Sequence, residues 1–202
     1  MSESDNGQAA TVPVWDPWLR LFHWSLVAAF TVAWLTAEEN EALHEAAGYI
    51  VAGLIAFRLV WGFAGPRYAR FSQFVRGPLA TLTYMGDAGR GRAQRYLGHN
   101  PAGAAMVLAL LVTLSGTALT GWLYEQSAEK ARAALPVAAR AGSHVEDSHA
   151  LEGAHEALAN LALILVILHV GGVAFSSWRQ RENLPRAMIH GRKRAPGAGD
   201  VA

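Results

Sequence analysis

The sequence predicts an all-α fold, a four-helix bundle embedded in a membrane, and three observations carry that expectation. Of 202 residues, 52% are hydrophobic and 16% charged, which is more apolar and less charged than an average soluble domain. The apolar residues gather into four blocks, approximately 18–35, 42–63, 102–123 and 156–175, each near the ~20 residues that cross a hydrocarbon core ~30 Å thick. Ten-residue stretches of alternating polarity are absent. In a bilayer, backbone groups must satisfy one another, so helices rather than a barrel are expected. The chain reads as a single membrane domain with tails at 1–16 and 176–202.

Each block carries its own boundary signals. Asp16 then Pro17 suit a helix N-cap and first helical position, and Asn100 then Pro101 repeat that grammar before the third block. Asn40 can cap the second. Residues Met1 to Ala10 are polar, lack Lys and Arg, and are followed by Pro13 and Pro17 rather than an export site, so the first block is expected to stay in the membrane. Trp15, Trp18, Trp34, Trp61, Trp122 and Trp178 lie near block ends, as an interfacial aromatic belt requires.

Orientation follows from the cations. The connection after the second block holds Arg67, Arg70, Arg76, Arg90, Arg92 and Arg95, and the tail holds Arg179, Arg181, Arg186, Arg192, Lys193 and Arg194. These are expected in the cytoplasm, against anionic lipid. The opposite side has Glu38, Glu39 and Glu41 and the connection from Tyr124 to Gly153. There Glu125, Glu129, Glu146, Asp147 and Glu152 outnumber Lys130, Arg132 and Arg140. Both termini are thus placed inside. The net charge of +1 argues against a nucleic-acid binder, which needs a track of excess Lys and Arg. The absence of cysteine excludes disulfides, thiolate metal sites, iron–sulfur clusters and covalently attached haem.

Histidine carries the chemical information, because an ionisable side chain within the hydrocarbon is costly and usually functional. His23 lies on the first block, His44 on the second, and His155 and His169 on the fourth. His155 and His169 are 14 residues apart, which returns to within about 40° of one helix face and separates the rings by ~21 Å along the axis. His23 and His44, joined through a short turn, differ in depth by a similar ~20 Å. The alternating helix directions then pair His44 with His155 at the outer level and His23 with His169 at the inner level. Two cross-helix imidazole pairs in a cysteine-free bundle are what two bis-histidine b-type haems require. A zinc or di-iron site would need three or more ligands at one depth. His44-Glu45 and His155-Glu156 are adjacent pairs pointing about 100° apart, so the glutamates read as solvated.

Arg58 stands 14 residues after His44, on the same face at the depth of the inner haem, where a propionate would compensate the cost of burying a guanidinium; snorkelling to headgroups is the alternative. Arg20, one turn before His23, is a similar candidate. Gly48 and Gly172 would let a flat macrocycle approach the backbone, although small-residue helix packing explains them equally. The carbonyls one turn earlier, Leu19 for His23 and Leu165 for His169, can fix the imidazole tautomers. His99, beside the third helix cap, suits a quinone, propionate or headgroup contact. His190 sits in the basic tail, and His144 and His149 sit in the outer connection.

With these residues in place, the chain resembles the bacterial cytochrome b561 and nickel–iron hydrogenase cytochrome b family. The likeness rests on Trp15, Asp16, Arg20, His23 and Trp24, then His44 with Gly48 and the run Arg58-Leu59-Val60-Trp61-Gly62, then Tyr68 to Phe71. It continues through Gly98-His99-Asn100-Pro101, His155-Glu156, His169, Arg181-Glu182-Asn183-Leu184 and Arg186-Ala187-Met188-Ile189, covering about Val14 to Arg194. The resemblance implies the same four histidines as axial ligands, a bacterial inner membrane, and quinone at one end of the electron path. At the other end it implies a periplasmic redox protein, such as a hydrogenase-like oxidoreductase or a soluble c-type cytochrome. The long outer connection matches no docking element of a named partner.

Iron with both axial positions filled has no vacant site for substrate, which favours electron transfer. Two alternatives stay open on the sequence alone. One is a stand-alone quinone-linked oxidase of a small reductant such as superoxide, for which an outer surface rich in cations would be expected. The other is a histidine-relay ion or proton transporter, which would hold its membrane histidines without porphyrin.

Overall fold

Helices follow from the apolar runs and their caps. In a computed structural model, which describes residues 10–134 and 149–201, α1 spans Pro17–Thr36, α2 Glu41–Ala64, α3 Phe71–Phe74, α4 Pro78–Gly89, α5 Pro101–Ala134, α6 His149–Gln180 and α7 Leu184–His190. Arg140, His144, Glu146 and Asp147, and the polar residues 1–9, lie outside the described residues. Four of the helices, α1, α2, α5 and α6, are long and apolar enough to cross a membrane.

The expected caps form. Asp16 Oδ1 accepts from the Leu19 N–H at 3.0 Å, Asn40 Oδ1 from Leu43 at 3.1 Å, and Asn100 Oδ1 from Gly103 at 2.7 Å. Each satisfies a donor that the first helical turn would otherwise leave unpaired. Helices α5 and α6 outrun their apolar blocks, because hydropathy and helix propensity are different properties: the run Ser127-Ala-Glu-Lys-Ala-Arg-Ala-Ala is polar yet rich in strong helix formers. Glu125 and Glu129, expected in a connection, therefore stand on α5.

The chain divides into two compact units. The first takes Met1–His23, Leu59–Met106 and His169–Ala202. Its core includes Leu19, Phe22, Phe74, Leu97, Ala104 and Ala187. Here β1 (Thr11–Pro13) pairs antiparallel with β2 (Arg192–Arg194), Val12 opposite Lys193. Gly191 stops α7 with φ +80° and returns its N–H to the Ala187 carbonyl. A Cβ there would lie 2.6 Å from the Trp15 carbonyl oxygen, so both conformation and space require glycine.

Charge is built into this unit rather than left at its surface. Arg95, 7% exposed, donates from Nε and Nη2 to both oxygens of Glu182 at 2.9–3.1 Å, from Nη1 to Asp200 at 2.6 Å, and from Nη2 to the Arg194 carbonyl at 2.8 Å. Lys193 Nζ, equally buried, donates to the carbonyls of Tyr96 and Leu97 at 3.1 and 3.0 Å. Burial pulls its ammonium down to about 8, against the opposing field of Glu182. The expectation that Arg95 and Lys193 lie against lipid headgroups therefore fails: the chain folds back to supply Glu182 and Asp200, and the cations serve as internal ties.

The second unit takes Trp24–Arg58 and Val107–Leu168. Ala29, Ala47, Val51, Ile55, Leu111, Leu114 and Ala162 are buried in it. Gly116 admits the Leu158 side chain, whose Cδ1 would lie 3.1 Å from an added Cβ. The hydroxyls of Ser115, Thr117 and Thr120 bond back to carbonyls four residues earlier on α5, which satisfies them without water. Large apolar side chains such as Ile164 and Ile167, 54% and 62% exposed, face outward, as lipid contact demands.

Candidate functional site

The structure brings together the two histidine couples expected from their depths, one in each unit. His23 on α1 and His169 on α6 have ring centres 6.5 Å apart with planes at 52°. His44 on α2 and His155 on α6 have ring centres 6.0 Å apart with planes at 81°. Two distances discriminate what such pairs can hold. A direct N–H···N bond of ~2.9 Å would draw the centres to about 5.2 Å. A metal–imidazole bond of about 2 Å on each side, plus roughly 1.15 Å from nitrogen to ring centre, would put the centres of two opposed ligands about 6.3 Å apart. Both observed separations match the second. Rings that share one axis through a metal can differ by any rotation about it, so the two interplanar angles are compatible with such an axis.

Tautomers add to the fit in the His44–His155 pair. His44 Nδ1 lies 2.8 Å from the Ala33 carbonyl oxygen and His155 Nδ1 lies 2.9 Å from that of Thr117. A carbonyl only accepts, so each bond needs the proton on Nδ1, and in the neutral imidazole that leaves Nε2 its lone pair. That is the state a metal-ligating histidine needs, with its second nitrogen anchored. Ala33 is in the last turn of α1, where the carbonyl end of the helix dipole welcomes a donor. Thr117 is in the middle of α5. For these two histidines the acceptors thus come from neighbouring helices, which spacing along one helix could not reveal.

Gly121 is a further site residue, and one that the histidine spacings do not mark. A Cβ on it would sit 2.9 Å from His155 Cε1 and 3.0 Å from Nδ1, so the imidazole occupies space that only glycine leaves open. A glycine one turn after Thr117 was the available signal. Gly121→Ala is expected to push the ring off the Thr117 carbonyl and to lower haem binding at this pair several-fold while the other pair is unaffected, read from the dithionite-reduced spectrum of the native protein against Gly116→Ala. In that control the added methyl meets only the flexible end of Leu158.

The open space beside Gly48 and Gly172, where an added Cβ meets no atom within 4 Å, leaves room for a flat group on α2 and α6. Arg58 is 2% exposed and the largest fully buried side chain among the described residues, so it does not snorkel. Arg20 reaches the other way, donating from Nη1 to the Ile189 carbonyl at 2.6 Å. Glu45 and Glu156 are exposed, whereas Glu125 accepts the Tyr49 hydroxyl at 2.6 Å. His99 lies between the rings of Trp15 and Phe74, 4.9 and 4.6 Å away. His190 ends α7, and His149 is exposed near Glu152. Among the described residues, no group of three or more His, Cys, Asp or Glu converges to hold a metal ion.

Four helices long and apolar enough to cross a membrane, with imidazoles in couples, are the arrangement that a multi-pass membrane cytochrome of the b type would need. The family model described as prokaryotic cytochrome b561 matches residues 14–191, and the chain belongs to that family. No curated protein and no solved structure matches the chain. Membership makes the protein a membrane cytochrome of electron transfer and implies b-type haem as its cofactor.

Proposed function

We propose that this chain carries electrons between a periplasmic redox protein and the quinone pool of a bacterial inner membrane, through two haem b groups, with both termini in the cytoplasm. The observation that carries the reading is the pair of ring separations, 6.0 and 6.5 Å, each suited to one metal between two imidazoles. In this reading His44 and His155 hold the outer haem and His23 and His169 the inner one. The haem supplies a reversible one-electron iron couple. The protein supplies everything that restricts the iron to that chemistry. With one histidine nitrogen on each side the iron would be closed to oxygen and substrates, and the carbonyls of Ala33 and Thr117 would keep the His44 and His155 imidazoles in the tautomer that ligates. Arg58 offers a buried cation for a propionate, and Arg20, anchored on Ile189, is the second candidate for that role.

The acidic residues expected on the outer side, Glu38, Glu39 and Glu41 among them, favour a cationic protein partner over a small anionic reductant such as superoxide. The family match favours haem over a porphyrin-free histidine relay. The test is the absorption spectrum of purified protein with dithionite, combined with a pyridine haemochrome count and reduction by a quinol. The expected result is two b haems per chain, both reducible. One haem, or colourless protein from haem-replete cells, would refute the di-haem reading.

A further inference from the structure

Outside the histidine couples, the first unit holds a small cavity of about 40 Å³ lined by Arg67, Tyr68, Gln73, Arg76, Tyr96 and His99, with Val201 at one side. Two guanidinium groups, an imidazole, two phenols and a carboxamide share this wall, and no carboxylate does. The balance of charge is positive and the balance of hydrogen-bonding groups is towards donors. The opening is small and suits a group of a few heavy atoms, such as a tetrahedral oxyanion.

The walls are held in place before any ligand arrives. Arg67 carries its guanidinium 5.5 Å over the Tyr68 ring, and Arg76 folds back on the end of α3, donating to the carbonyl of Gln73 at 3.2 Å. His99 is clamped between Trp15 and Phe74. Val201 is fixed by paired backbone bonds, from Leu97 N–H to its carbonyl at 3.0 Å and from its N–H to Arg95 at 2.8 Å. Arg67 follows closely on the end of α2, and His99 comes just before α5. Both lie beside the ends of helices long and apolar enough to cross a membrane, and the ends of such helices meet lipid headgroups.

We infer that this cavity binds a phosphate oxyanion, presented by an anionic phospholipid headgroup or as free phosphate, with Arg67 and Arg76 as the charged donors. The inference does not depend on the haem assignment, since none of the four paired histidines lines the cavity.

Haem-loaded protein in neutral detergent, stripped of lipid, is titrated with phosphatidylglycerol, with phosphatidylcholine, or with inorganic phosphate. Amide exchange at Leu97 and Val201 and the thermal midpoint are followed. Phosphatidylglycerol is expected to slow exchange at both amides and raise the midpoint, with phosphatidylcholine much weaker. If inorganic phosphate reproduces the effect and competes with the lipid, free phosphate is a source as well. Arg67→Gln with Arg76→Gln is expected to raise the half-saturating lipid concentration at least about tenfold. Arg90→Gln with Arg186→Gln, which removes equal charge from exposed positions outside the cavity, should change it by less than about twofold. Arg76→Gln alone, at an exposed position, carries the same test with a shift of about threefold if the double variant does not fold. Equal responses to the two lipids, equal losses in the two double variants, or loss of haem absorbance in Arg67→Gln/Arg76→Gln would overturn the inference. The second of those results would mean diffuse surface attraction, and the third would place the arginines in the haem machinery.

Discussion

His44→Ala is expected to remove one of the two proposed haems and leave the other spectrally intact, and His155→Ala is expected to produce the same protein. On the proposed pairing the two side chains, with ring centres 6.0 Å apart, would act as halves of one clamp, so either deletion would leave the haem with one protein ligand. The double variant should then lose no more haem than either single one, the non-additivity expected of groups that act on one target. His23→Ala and His169→Ala form the complementary couple, 6.5 Å apart, and should lose the other haem. Dithionite-reduced spectra of the four single variants, taken on the native protein so that the two sites stay distinct, decide the matter. If His44→Ala and His169→Ala shared one spectrum while His155→Ala had another, the pairing would be wrong.

Arg95→Ala is expected to be the most destabilising single change in the first unit. The guanidinium sits between Glu182 and Asp200, whose side chains are 9% and 14% exposed, and removing it leaves two sequestered carboxylates without their principal cation. Breaking a buried pair of this kind costs about 3–5 kcal/mol, most of it the penalty of the charge left behind. Lys193 Nζ, 3.9 Å from Glu182, offsets only part of that loss. The loss should be local: amide protection should collapse at Leu97 and Val201, which share backbone bonds beside Arg95, while amides of α2 around Val51 in the second unit keep theirs. Arg95→Lys should recover little, because an ammonium cannot serve both oxygens of Glu182 and the Asp200 carboxylate at once. Unchanged protection in Arg95→Ala would show that the tie is ornamental.

The membrane helices and the two levels of histidine are legible in the sequence because both follow from the repeat and rise of single helices, and the couples follow once neighbouring helices alternate in direction. His155 and His169 share a face by their 14-residue spacing, and capping residues such as Asn40 and Asn100 announce helix starts. Features that depend on neighbours distant in sequence leave no such mark. Gly121 matters only because α6 places the His155 ring against it, and Ala33 and Thr117 act through carbonyls that every residue possesses, so no residue type marks them. The basic residues mislead for a related reason. A tally of Lys and Arg along a connection registers Arg95 as one more surface cation; its true setting is fixed by Glu182 and Asp200 returning from the far end of the chain. The apolar block falls short of the full α5 because hydropathy reports where lipid is, whereas Ala, Glu and Lys continue a helix beyond it.

Because the Nδ1 partners of His44 and His155 are main-chain oxygens, substitution at positions 33 and 117 cannot delete them. Aim of the two rings is governed by how α1 and α5 are registered along their axes, and a slip of one residue would misdirect an imidazole even with every side chain preserved. Point variants at Ala33 or Thr117 that keep helix packing should therefore be silent, whereas an insertion or deletion within α1 or α5 should be ruinous. This is a site protected against spelling errors and exposed to errors of phase.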